Sequence, residues 1–177
     1  GKSTIALALV RRGARLLTDD TLVLRFDDAG ARAMPGVHRA RLWEDSVRAL
    51  DVKVDMALGA KPTIDCLPEA QIQRADVPLD TSYVLHPAAV SAGDIVSREM
   101  LPPVHAALAC VSFSKLGALM GGCEAPVVLE RATRLARSAS FFSAVVHRDL
   151  SRLGELGDDV LRWHRLSAST GSTGGAR

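Results

Sequence analysis

The chain has 177 residues, 47% hydrophobic and 24% charged, which suits one folded domain with a substantial core and excludes a disordered chain. A net charge of +2 gives no electrostatic footprint for nucleic acid or an anionic membrane surface, and 4% aromatic residues leave little for base stacking. Cys66, Cys110 and Cys123 form no C-x-x-C pair, so neither a disulfide framework nor a zinc ribbon is expected, and a cytoplasmic, reducing location fits. The histidines (His38, His86, His105, His147, His164) are scattered, with no tight ligand spacing. No apolar run reaches the ~20 residues of a membrane span.

Ser3 to Arg12 reads as a helix, apolar all round from Ile5 to Val10, as for a helix buried beside a sheet, with Gly13 as its stop. "RLLTDD" follows as a short strand ending in two acids. Thr21–Phe26 is a second strand, Asp27 to Gly30 a turn, and "ARAMPG" the returning strand. "RARLW" is another strand, and Glu44 to Leu50 a helix. The stretch Asp51 to Asp80 shows little periodicity; short strands are expected at Thr63 to Leu67 and, beyond it, at Ser82 to His86. Helical patterns follow at Val104 to Leu108, Leu116 to Met120 and Val127 to Ala136, with a late strand at Phe141 to Val146. Asp149 to Trp163 reads as a final amphipathic helix, capped near Asp149, with Leu150, Leu153, Leu156, Val160 and Leu161 inward. Residues 166–177 are Gly/Ser-rich and expected to be a flexible tail, leaving 1–165 as a single α/β domain.

Two features of the first twenty residues carry chemistry. Gly1-Lys2-Ser3-Thr4 matches the end of the phosphate-binding pattern G-x-x-x-x-G-K-[ST], whose first half and preceding strand would lie ahead of Gly1. A helix start attracts phosphate through its unpaired amides and dipole. Lys2 would reach the β- and γ-phosphates, and Ser3 would place its hydroxyl on Mg²⁺. Asp19 and Asp20 close the next predicted strand, at the end where open α/β sheets bind ligands. A carboxylate there could orient Mg²⁺ or accept a hydroxyl proton; the bland alternative is a turn with two solvated acids. Among the remaining candidates, Arg39 and Arg41 share one side of a strand and are expected to face solvent. Trp43 and Trp163 suit core or edge packing, and Arg131, Arg134 and Arg137 a solvated helix face.

The run "GKSTIALALVRRGARLLTDDTLVL" resembles the catalytic domain of HPr kinase/phosphorylase and its relatives, which pass from a GKS loop through a short helix to "RRGHRLVADD". "PGVHRARLWEDSVRAL" (Pro35 to Leu50) is similar to the "PG…RLW.D" segment of HPr-kinase-like serine kinases, and "FFSAVVHRDLSRLGEL" to the ends of those relatives. The resemblance implies a P-loop kinase domain of the HPr kinase/phosphoenolpyruvate carboxykinase-like type with a helical C-terminal part. It implies ATP and Mg²⁺ as cofactors, with Gly1, Lys2, Ser3 and Thr4 binding the nucleotide and Ser3 also the metal. One of Asp19 and Asp20 would take the serine proton, and the resemblance does not say which. The pattern departs at Ala14, where the family has His, and its second magnesium ligand, a Glu, has no clear match; Glu44, the nearest acid, reads as a first-turn helix residue. Phosphorylase activity and HPr as acceptor are therefore not implied.

The expected function is an ATP- and Mg²⁺-dependent serine kinase whose acceptor is a small protein or peptide; the family tends to form oligomers. The alternatives are a nucleotide-binding regulatory module without turnover, and a small-molecule kinase on the same scaffold.

Overall fold

The computed structural model describes residues 1–52, 63–64, 67–90, 93–115 and 125–170 of the chain. The first helix, α1 (Lys2–Val10), ends where two apolar turns run out at Gly13. Gly13 sits at φ 94°, and the amides of Gly13 and Ala14 bond the carbonyls of Val10 and Leu9 at 3.0 and 3.1 Å. That reversal closes the helix's orphan carbonyls and needs a residue without a Cβ penalty.

Among the described residues the strands form three small sheets. β1 (Val23–Asp27), β2 (Gly30–Met34) and β5 (Val77–Pro78) are antiparallel in the order β1-β2-β5. The β1–β2 hairpin turns at Asp28-Ala29, where the Asp27 carboxylate accepts the Ala29 amide at 2.9 Å. β3 (Ala40–Arg41) pairs with β4 (Thr63–Ile64). β6 (Thr81–Ala88), β8 (Ser140–His147) and β7 (Val96–Met100) form the third sheet, with β8 in the middle, parallel to β6 and antiparallel to β7. The remaining helices are α2 (Glu44–Ala49), α3 (Pro103–Phe113), α4 (Ala125–Ser138) and α5 (Leu153–Thr170). The mixed α/β class expected from the sequence is present.

Among the described residues, buried side chains gather in three clusters. Leu7 and Ala8 of α1 meet Ala40, Leu42, Val47, Leu50 and Leu153 in one. Ile5 and Leu9, on the other side of α1, lie against Ile95, Val96, Leu156 and Val160 in a second. The third joins Ala106 and Ala107 of α3, Leu135 and Ala136 of α4, Ala31 and Phe141. Alanines at the α3–α4 contact let two helices approach closely. The sequence placed α1 beside a sheet. Ile5 and Leu9 do share a cluster with Val96 of β7 and Val146 of β8, and β3 lies beyond, but the chief partner of α1 is α5. Arg12 fastens that contact: its guanidinium lies along Gly154 and Gly157, and its Nε donates to Asp158 at 2.7 Å.

Several expectations need correction. "RLLT" is not a strand of any described sheet. It is an extended segment holding one parallel bridge, Leu16 to Ile72, through bonds of 2.7 and 2.8 Å to Gln71 and Gln73. On its other side the Gly36 amide bonds the Leu17 carbonyl at 3.1 Å, and the Asp19 amide the Val37 carbonyl at 3.0 Å. Neither neighbour can extend a ladder. Gln71 ends a 3-10 turn, Glu69–Gln71, and Pro35 has no amide to donate. Strand β7 was not foreseen, because "VSREM" is mostly polar and lies on a sheet edge. Leu150 is partly exposed in a 3-10 turn, Leu150–Arg152, capped by Asp149, so the inner face of α5 starts at Leu153. α5 continues to Thr170, so the first residues assigned to the tail are helical. The expected helix at Leu116 to Met120, the rest of the Thr63 to Leu67 strand up to Cys66, Cys123 and residues 171–177 lie outside the described residues.

Candidate functional site at the start of helix α1

Gly1 is exposed and caps α1, and its carbonyl accepts the first helical bond, from the Ile5 amide at 3.0 Å. The amides of Lys2, Ser3 and Thr4 lie ahead of that bond, at the positive end of the helix. Lys2 is exposed at this end and Ser3 half-buried. Thr4 faces the interior: it is 8% exposed, and its hydroxyl donates to Ser46 of α2 at 3.0 Å. Only its backbone is therefore placed to meet a ligand.

The decisive contact joins two residues sixteen positions apart. The Ser3 hydroxyl donates to the Asp19 carboxylate, with oxygens at 3.0 and 3.2 Å. Asp19 reaches it because its amide is tied to Val37, which fixes the end of the extended segment over the start of α1. Asp20 points elsewhere. Its backbone is left-handed, φ 68°, at the centre of a three-residue turn closed by the Thr21 amide on the Asp19 carbonyl at 2.7 Å. This is the strained form of a γ-turn, and a non-glycine residue held in it costs about 1–3 kcal/mol. The Asp20 carboxylate is largely exposed, 4.0 Å from the Lys115 ammonium, which also bonds the Thr21 hydroxyl.

Four contributors escaped sequence reasoning. Ser46 holds Thr4, Lys115 stands at Asp20, and Thr18 and Gly36 brace the turn. Thr18 adjoins the acids in "LLTDD" and was open to suspicion; an isolated lysine at the end of α3 carries no signal. The other candidates fall as follows. Arg39 and Arg41 are exposed, as expected. Trp43 is 66% exposed and not core, because it stands ahead of α2 as its N-cap. Glu44 is a first-turn acid of α2, paired with Arg48. Arg134 is more than a solvated side chain: it donates to the Asp27 carbonyl at 2.7 Å and lies over the Phe26 ring.

An open groove of about 700 Å³ lies between the β1–β2 turn and α4, lined by Asp27, Gly30, Pro126, Thr133 and Arg134 among others. None of Gly1, Lys2, Ser3, Thr4, Asp19 and Asp20 lines it. A second polar cluster lies on the third sheet. Arg98 donates to the Tyr83 hydroxyl at 3.0 Å and stacks 4.5 Å from Phe142 and 4.7 Å from Trp163. His164 stands 3.3 Å from the same hydroxyl; burial, then the Arg98 charge, holds its pKa below the ordinary value. Among the described residues no group of three His, Cys, Asp or Glu side chains could hold a metal ion, and no helix is long and apolar enough to cross a membrane. No protein-family model, curated protein or solved structure matches the chain.

Proposed function

We propose that the chain is the catalytic part of an ATP- and Mg²⁺-dependent serine kinase, built as a P-loop domain of the HPr kinase/phosphoenolpyruvate carboxykinase-like type. The observation that carries the reading is the Ser3–Asp19 hydrogen bond at the positive end of α1. It joins the two motifs that phosphoryl transfer requires side by side: a helix start that receives phosphate, and an acid that serves the metal.

The donor set fits magnesium. Ser3 and Asp19 offer hard oxygen atoms, and Mg²⁺ is ordinarily held by one or two such groups, with substrate phosphates and waters completing its shell. That shell needs no three-residue protein cluster. Ser3 can present an oxygen lone pair to the metal while its O–H still donates to Asp19. When bound, the metal neutralises charge on the transferring phosphoryl group. Lys2 and the first amides of α1 would hold the phosphates.

The two acids then have different roles. Asp19, engaged with Ser3, is the metal-side acid. Asp20, turned outward and accessible, is the acid an incoming serine hydroxyl would meet, and there it accepts the proton. The acceptor is a serine on a protein or peptide.

Radiolabel transfer from ATP to serine peptides by the full-length protein tests this. Asp20→Asn should lower transfer by about 10²–10⁴-fold with ATP affinity retained. Lys2→Ala should weaken ATP binding in calorimetry. Wild-type transfer rates in Asp20→Asn, or wild-type ATP affinity in Lys2→Ala, would overturn the assignment.

A further inference from the structure

Asp19 and Asp20 are adjacent, yet their carboxylates part, one to Ser3 and the other to solvent. What parts them is the turn at Asp20, and a strained turn persists only where its surroundings hold it. The Thr18 hydroxyl lies 3.0 Å from the Thr21 carbonyl and 3.3 Å from the Asp19 carbonyl. One hydroxyl has one proton, so it donates to the nearer carbonyl, that of Thr21, across the mouth of the turn. Thr18 can sit there because Gly36 has no side chain. A Cβ at Gly36 would fall 2.4 Å from the Thr18 hydroxyl oxygen and 3.0 Å from its Cβ. Those atoms belong to a short, β-branched side chain with little freedom to move aside. The Gly36 and Val37 backbone completes the brace through its bonds to Leu17 and Asp19.

We infer that Thr18 is a positioning residue of this site: its hydroxyl, seated in the space left by Gly36, clasps the Asp19–Thr21 turn and so aims the Asp19 carboxylate at Ser3. The inference rests on the proposed kinase reading, since it takes Ser3 and Asp19 as the metal-side pair. Thr18 touches neither nucleotide nor acceptor; it acts through the turn.

The test measures Mn²⁺, as a Mg²⁺ surrogate, binding to the full-length protein in the presence of ATP by electron paramagnetic resonance. ATP binding without metal is measured by calorimetry. Thr18→Val keeps the shape and removes the hydroxyl. It should weaken Mn²⁺ binding about tenfold or more, the usual cost of losing an outer partner of a metal ligand. Metal-free ATP binding should stay unchanged, and Thr18→Ser should restore the metal affinity. Gly36→Ala, which keeps the hydroxyl but displaces it, should reproduce the Thr18→Val loss and decides the matter if Thr18→Val does not fold. Wild-type Mn²⁺ affinity in Thr18→Val or Gly36→Ala would overturn the inference alone. So would a parallel fall in metal-free ATP binding, or a failure of Thr18→Ser to restore. A wild-type protein that retains no Mn²⁺ with ATP would overturn the kinase reading and this inference together.

Discussion

At the scale of single residues, the start of α1 divides its hydroxyls between two tasks. Ser3 opens toward Asp19, and Thr4, one position on, turns inward to Ser46. The helical step of ~100° per residue separates them, so a run of two hydroxyl residues serves a site and a core at once. The Thr4–Ser46 bond is buried at both ends, and it ties α1 to α2. Thr4→Val should therefore destabilise the protein by about 1–3 kcal/mol, because the Ser46 hydroxyl is left without its donor in a dry environment. The double variant Thr4→Val/Ser46→Ala should recover part of the loss, since no polar atom is then stranded. Urea unfolding of Thr4→Val, Ser46→Ala and the double variant checks this. Additive losses in the double variant would mean that the two hydroxyls do not interact.

At the scale of elements, α1 and α5 meet through Arg12, seated on a stripe without side chains. A Cβ at Gly157 would stand 2.7 Å from Arg12 Cδ and 2.9 Å from its Nε, in the middle of a side chain anchored by Asp158. Glycine within a helix ordinarily costs about 1 kcal/mol against alanine. Here the clash opposes that gain. Gly157→Ala should destabilise the native chain, yet stabilise an Arg12→Ala variant by up to about 1 kcal/mol, once the obstructing side chain is gone. Denaturant midpoints of the four proteins in the cycle give the answer, and an equal effect of Gly157→Ala in both backgrounds would refute the packing argument. The same pair shows where sequence reading reaches and where it stops. The apolar run of α1, the β1–β2 hairpin with its Asp-Asp-Ala-Gly turn, α4 and β8 were legible, because each is specified by neighbours in sequence. That α1 packs on α5 was not, because the fit of Arg12 against two glycines depends on residues about 145 positions apart and leaves no local period. The site divides in the same way. Ser3, Asp19 and Asp20 stood out by residue type; the turn that separates the two acids depends on Gly36, beyond an intervening hairpin.

At the scale of the whole molecule, the third sheet and α5 are joined by a cluster that contains one titratable imidazole, His164. Tyr83, Arg98, Phe142, Trp163 and His164 converge from β6, β7, β8 and α5, with Arg98 as the cation at the centre. A second positive charge on His164 would face Arg98 while partly removed from water, and for both reasons the fold disfavours it. The direction of the effect follows by linkage. The folded pKa lies below the ordinary 6.5, so below that pH the unfolded chain binds more protons than the folded one. Stability from this group is therefore full above 6.5 and declines as pH falls from there toward the folded pKa, below which no more is lost. Other acids and bases of the chain titrate too, so the comparison must be with a variant that lacks only the imidazole. His164→Gln keeps a hydrogen-bonding side chain near the Tyr83 hydroxyl and removes the titration. Thermal midpoints of both proteins, taken from about pH 8 to about pH 5, should run parallel at the upper end and approach one another toward the lower, as only the wild type loses this contribution. A constant difference across the range would show that protonation of His164 has no part in holding α5 against the sheet.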